Sequence, residues 1–193
     1  MKLGEIADIR SGLVLSRKEA KYELDVTKTY RVLTVKSIPP DGSVNAEELY
    51  DFRSIEELDE HYLTHAGDVV IRLTHPYTAV HIDESLERLV ISSLFAVIRL
   101  KTELFLPQYI ALYLNSNTTE NLIYRLHSTS SSPSIKKSFL EELKINKVPV
   151  EVQMKLLDYS RLHRKEKELL LDLLNQKEVH YQAIISKTIT KEG

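Results

Sequence analysis

The chain has 193 residues, 42% of them hydrophobic, enough for one domain with its own core plus an appendage. It contains no cysteine, which excludes disulfides and thiolate metal sites, and no run of 18 apolar residues that would cross a membrane. Its net charge of −2 and isoelectric point near 6.4 argue against a domain that grips nucleic acid unaided, so any such binding needs a local basic face or a partner that supplies phosphate contacts.

The opening Met1-Lys2-Leu3-Gly4-Glu5 lacks the apolar core of a signal peptide, and a cytoplasmic location is expected. Leu3, Ile6 and Ile9 are spaced for a short amphipathic turn leading into Arg10-Ser11-Gly12, where glycine permits a positive φ. The β-branched and apolar run 30–36 predicts a strand and hairpin arm ending at the turn signal Pro39-Pro40-Asp41-Gly42. Ser54 and Glu57 have capping-box spacing, so a short helix carrying Leu58, Tyr62 and Leu63 is expected as far as His65-Ala66-Gly67. Residues 67–73 read as a buried strand, Thr74-His75-Pro76-Tyr77 as a polar loop, and 79–82 as the returning strand. The stretch 89–100 is long enough for two strands broken at Ser92 and Ser93.

Pro107 opens a helix that runs to Asn115, and Asn117 with Glu120 caps another through Leu122, Ile123, Tyr124 and Leu126. The hydroxyl-rich loop 127–134 follows, by composition a solvated linker. Ser138 and Glu141 cap one further short turn. Pro149 then precedes an uninterrupted helical stretch to Thr188, with Glu151 complementing its positive start. No internal repeat is present.

At 1.5 Å per residue this last helix is roughly 55 Å long, more than a domain of this size wraps in its own core. The line Val152, Leu156, Tyr159, His163, Glu166, Leu170, Leu173, Lys177, His180, Ile184 is apolar at its ends and polar in parts of its middle, with Leu162, Leu169, Leu171 and Leu174 beside it. A stripe this broad calls for more than one neighbour or an antiparallel mate. The other reading is a terminal helix lying on its own domain.

Catalytic patterns are absent from the sequence. It holds five glycines and neither G-x-G-x-x-G nor G-x-x-x-x-G-K-[ST], so a methyltransferase or nucleoside triphosphatase is unsupported. It has no G-x-S-x-G either. His61 and His65 share a helical face but lack a third metal ligand. Glu19-Ala20-Lys21 offers one acid and one lysine of the set that a metal-dependent nuclease needs, without the preceding acidic strand.

The order of segments resembles the specificity (S) subunit of type I restriction-modification systems, as one target-recognition domain followed by one helix. The resemblance rests on 2–12 (Lys2-Leu3-Gly4-Glu5-Ile6 to Gly12), Gly67-Asp68-Val69-Val70-Ile71, 90–99, Leu106-Pro107-Gln108-Tyr109-Ile110 to Ser116, Ser134-Ile135-Lys136, Leu140-Glu141-Glu142-Leu143-Lys144-Ile145, and Val148-Pro149-Val150-Glu151-Val152-Gln153. At the last of these the family's Pro-rich, acidic-Gln signature is reduced to a single proline. The resemblance implies an α+β fold: a mixed, largely β recognition domain over 1–149, a spacer helix over 150–189 that forms an antiparallel coiled coil, and a tail, 190–193. It implies a half-subunit that dimerises through that helix, by way of Val152, Leu156, Tyr159, Leu170, Leu173 and Ile184, to read a bipartite inverted-repeat DNA site. It further implies a methyltransferase (M) subunit as partner, with a restriction (R) subunit as a possible third. S-adenosylmethionine is expected on the M subunit, and no catalytic residue, metal or cofactor on this chain.

Base reading in the major groove needs donors and acceptors on a rigid base. Arg72, Thr74, His75 and Tyr77, after the 67–73 strand, offer them, although Arg72 has a second reading as an ion-pair partner of Asp68 or Glu84. Ser130 and Ser134 with Lys136 and Lys137 are candidate phosphate contacts. A coiled-coil protein-binding adaptor, or a small metal-dependent nuclease using Glu19, are the alternatives.

Overall fold

The computed structural model of the chain describes residues 1–127 and 134–189. Two compact units are distinguished, Met1–Gln153 and Met154–Gly193. The fold is α+β, with β strands in the first unit and one 40-residue helix, Val150–Ile189, closing the chain.

Among the described residues, seven strands make two sheets. In the first, β1 (Ala7–Ser11), β7 (Phe95–Leu100), β4 (Val69–Arg72) and β5 (Ala79–His81) are neighbours in that order and all antiparallel. In the second, β2 (Lys28–Leu33) pairs antiparallel with β3 (Tyr50–Ser54) and parallel with β6 (Val90–Ile91). Alternation along each strand sorts the core. Leu33 and Ile91 from one sheet meet Val70, Val80, Phe95 and Val97 from the other in a shared apolar cluster. Their neighbours Val32 and Val90 turn the opposite way, toward Tyr30, Phe52, Leu58 and Leu63.

The stretch 89–100 is two strands broken at the serines, as its pattern predicted, and the break carries the chain from one sheet into the other. β1 accompanies it across: Gly12 donates to the Phe95 carbonyl (3.1 Å), Leu13 to that of Ile91 (2.7 Å), and Ser93 back to Leu13 (2.8 Å). The glycine is needed here for a reason other than the expected one. Its φ is not positive; instead a methyl group at this position would overlap the backbone carbonyls of Ile91 and Ser92.

The 67–73 strand, its loop and the return strand are present as β4 and β5. Gly67 turns into β4 with φ 88°. Asp68, 1% exposed, holds Arg99 of β7 through two hydrogen bonds of 2.7 Å and accepts a third from the His65 amide. α2 (Pro107–Leu114) packs on β4 and β5, with Pro107 in its first turn. Asn115, just beyond it, exchanges two hydrogen bonds of 2.7 Å with the backbone of Ala79, so that its amide serves the open edge of β5 as a strand would.

Three expected elements differ. The helix after Ser54 is absent: Ser54 ends β3, the Leu58 amide donates to the Tyr30 hydroxyl (2.9 Å), and a single 3-10 turn over Glu60–Tyr62 brings Leu63 to the core. β2 runs from Lys28 only to Leu33, where a reciprocal Thr34 and Ser37 side-chain turn ends it. The short α4 (Lys137–Glu142) starts after Lys136 with no side-chain cap, and Glu141 pairs instead with Lys137. The small turn α1 (Leu3–Ile6) stops before Ile9, which lies in β1, while α3 (Asn117–His127) is present but Ser116, not Asn117, takes the cap position, its hydroxyl accepting from the Thr119 amide (3.4 Å).

Pro149 sits immediately before the long helix, α5 (Val150–Ile189), and its carbonyl accepts from Val152 and Gln153. Gln153 is fully buried. Its amide nitrogen donates to the carbonyls of Leu104 and Val148 (2.8 Å each), and its oxygen accepts from the Leu106 amide (2.9 Å). Nearly all the bonding capacity of the side chain is used. Among the described residues no helix is long and apolar enough to cross a membrane.

Two stability measurements follow. Gly12→Ala forces backbone apart where the sheets join and should cost about 3 kcal/mol, lowering the thermal midpoint by roughly 10 °C. Gln153→Leu leaves three part-buried backbone groups without their partner and should cost about 3 kcal/mol in urea unfolding. Gln153→Glu should do no better at neutral pH, because a carboxylate cannot donate to two carbonyls.

Candidate nucleic-acid interface

The β4–β5 hairpin and α3 build the site. Arg72 N donates to the Thr78 carbonyl (3.0 Å) and Tyr77 N to that of Thr74 (2.9 Å), so the loop between them is a closed turn, with the His75-Pro76 peptide cis and Tyr77 at φ 56°. On one flank, Thr74 forms a bridge with Ser134, and the Ile135 amide donates to the Leu73 carbonyl (2.8 Å). The hydroxyl-bearing segment and the hairpin, separated by sixty positions in sequence, are thereby joined.

Arg72 is turned inward. Of its terminal nitrogens, Nη2 donates to the His75 carbonyl (3.0 Å) and Nη1 sits 3.5 Å from the Val35 carbonyl, while its buried Nε meets no acceptor among the described residues. Burial holds its pKa below the ordinary guanidinium value. It pairs with neither Asp68, taken by Arg99, nor Glu84. The charge instead lies beneath the loop and fastens its tip.

Tyr77 is also inside, 6% exposed, and supports an aromatic group at the tip. Its ring lies edge-on to His75 (5.9 Å between centroids) and to Tyr124 of α3 (6.5 Å). Desolvation, with a smaller effect from Tyr124, raises its pKa. The Tyr124 hydroxyl reaches His75 Nδ1 at 3.3 Å. Both His75 and Tyr124 face solvent. Thr74 and Ser134 are half-buried, and Lys136 and Lys137 are exposed, Lys137 at 3.4 Å from Glu141. Ser130 lies outside the described residues.

Tyr124 is the member of this group that sequence reasoning missed. The signal was available: Leu122, Ile123 and Tyr124 are consecutive, and one helix face cannot take all three. Ile123 is buried, whereas Leu122 and Tyr124 are exposed. Asn115 and Gln153 carried no comparable signal, because their partners are backbone groups remote in sequence.

The dimerisation candidates lie on α5. Val152, Leu156, Tyr159, Leu170, Leu173 and Ile184 are 41 to 72% exposed, and every residue over 161–189 is exposed. Elsewhere, His61 pairs with Asp59 (2.8 Å) and His65 lies 3.4 Å from Glu60. Among the described residues no three His, Asp or Glu side chains gather as metal ligands, and Glu19 is an exposed residue whose backbone bridges Ser54.

A hairpin tip with an imidazole and a hydroxyl, flanked by the phenol of Tyr124 on α3 and lying over a half-buried guanidinium, has the groups of a polar binding surface. The family model described as the type I restriction modification DNA specificity domain matches residues 1–176, the whole first unit and more than half of α5. The chain belongs to this family. Two solved structures share the specificity-domain fold at 16% identity: a chain described under complex assembly and conformational transition of the type I R-M system (TM-score 0.67) and the HsdS subunit from Thermoanaerobacter tengcongensis (TM-score 0.61). In each case the match covers 88% of this chain and 43% of the other, so this specificity domain spans less than half the length of those relatives. No match to a curated protein is found.

Because Arg72 fastens the hairpin tip, Arg72→Met should loosen it locally. Amide exchange at Tyr77 should accelerate about tenfold or more, the equivalent of one lost charge-assisted hydrogen bond. The global unfolding midpoint should move little.

Proposed function

We propose that the chain is a sequence-specificity subunit of a type I restriction-modification system, which reads DNA with its first unit and pairs with a second copy through α5. The observation that carries this reading is the family match, which extends from the domain into the helix without a break. The chain itself is non-catalytic. A methyltransferase subunit is its partner, with a restriction subunit as a further one, and S-adenosylmethionine belongs to the methyltransferase.

The acidic balance of the recognition domain, −3 over 1–149, supports such a division of labour. A single copy has no basic excess with which to hold DNA alone, and a partner that encloses the duplex supplies most of the phosphate contacts. Within the interface, His75, Tyr124 and Thr74 present donors and acceptors to base edges. Lys136 and Lys137, with the hydroxyls of Ser130 and Ser134, contact phosphates. Arg72 and Tyr77 act as positioning residues from beneath.

Two-fold pairing through α5 makes the DNA site bipartite, with inverted half-sites. The exposed leucines of the helix support this pairing, since apolar surface on this scale marks an interaction face.

Three measurements test the reading. In gel shifts with the methyltransferase subunit present, Tyr124→Ala should weaken binding to the cognate site about tenfold, and Lys136→Ala should weaken all sequences alike and reduce the salt slope by about one. Adenine methylation mapped genome-wide should show a divided, palindromic site that vanishes when the gene is deleted. Leu170→Lys with Leu173→Lys should leave the domain folded and the chain monomeric by light scattering; a dimeric double variant would remove α5 from this role.

A further inference from the structure

The seam of α5 specifies not only that two copies pair but where they pair. Spacings of four and three from Leu156 place Leu156, His163, Leu170, Lys177 and Ile184 at one heptad position, and Tyr159, Glu166, Leu173, His180 and Lys187 at the other. Glu166 and Lys177 on this line have no adequate partner on their own helix. The neighbours of Lys177 at three and four positions are Leu173, Leu174, His180 and Tyr181, and among the described residues it meets no carboxylate within ion-pair distance. Glu166 has Leu162, Leu169 and Leu170 around it, and only His163 at 3.9 Å.

We infer that a second copy of this chain docks antiparallel on α5 with the two-fold axis passing between Leu171 and Asp172, so that Glu166 of each copy faces Lys177 of the other. The inference rests on the antiparallel homodimer proposed above and adds its register. About this axis the inner layers match, and at each end Leu156 meets Lys187, whose long side chain reaches solvent from the last turn of the helix. Leu170 meets Leu173, Tyr159 meets Ile184, and His163 meets His180, a pair able to donate and accept in turn. The exposed stretch 154–189 overlaps itself from end to end.

The alternatives fail on charge or on packing. A parallel pair sets Glu166 against Glu166 and Lys177 against Lys177, like charges in the seam. An antiparallel slip of one heptad in one direction sets Glu166 on Leu170 and Lys177 on Tyr159; in the other direction it sets Glu166 on Ile184 and Lys177 on Leu173. Each slip buries unpaired charges, which costs far more than an exposed ion pair returns. Polar seam residues acting as register locks are the best-attested use of such groups.

The register sets a length. The two Gln153 side chains, each anchored in its own first unit, lie roughly 55 Å apart along the pair at 1.5 Å per residue, and a slip of one heptad changes this by about 10 Å. On B-DNA that slip moves the half-sites by about 3 base pairs.

The chain has no cysteine, so introduced thiols are the only ones present. Tyr159 and Ile184 are 72% and 51% exposed, and replacing them leaves the first unit untouched. Full-length Tyr159→Cys mixed with Ile184→Cys should form a disulfide-linked dimer under mild oxidation. Tyr159→Cys alone, which reports a parallel pair, and Tyr159→Cys mixed with Lys177→Cys, which reports the one-heptad slip, should not. Glu166→Lys and Lys177→Glu should each weaken the dimer roughly tenfold or more, and the two combined in one chain should restore it. Cross-linking in either control, or no recovery in the combined variant, overturns the register and leaves the dimer standing. A wild-type chain that is monomeric by light scattering overturns both.

Discussion

Everything in the first unit depends on the stretch 89–100 belonging to both sheets. Val90 and Ile91 pair with β2, and four residues later Phe95 enters the other sheet between β1 and β4. Because the crossover is so short, the two sheets share one apolar cluster, and β4 lies directly against the strand that emerges from it. The crossing is tight enough that backbone meets backbone at Gly12. The usual argument for a glycine, freedom of φ, does not apply there; what matters is the missing Cβ.

The placement of β4 in turn determines what the hairpin tip presents. Asp68 at its start is spent on Arg99 of β7, which leaves Arg72 at its end without a carboxylate. A guanidinium half-buried among backbone carbonyls is costly, and here it holds the loop through the His75 carbonyl. The outer surface here comes from two remote segments, His75 on the loop and Tyr124 on α3, with Tyr77 packed beneath both. The Thr74 and Ser134 bridge attaches a third.

Gln153, the last residue of the first unit, ties the first turn of α5 to Leu104, Leu106 and Val148 through its side-chain amide. In the proposed dimer, helix register sets the distance between the two copies of this residue.

Local pattern by itself determined much of this protein: the strands at 67–73 and 79–82, the break at Ser92 and Ser93, the helix opened by Pro107, and the long helix after Pro149 with its apolar line. Each of these rests on residues adjacent in sequence or repeated at a short period, so neighbouring side chains carry the information. The order of segments also carried the resemblance to the family. Tertiary structure decided the rest. The expected helix after Ser54 gave way to an extended segment because the Tyr30 hydroxyl, twenty-eight positions away, bonds the Leu58 amide. Arg72 became a fastener rather than an ion-pair partner because Arg99 reached Asp68 first, and Tyr124 joined the site because α3 packs beside the hairpin. Such contacts depend on which remote segments come within a few ångströms of one another, and no local spacing encodes that.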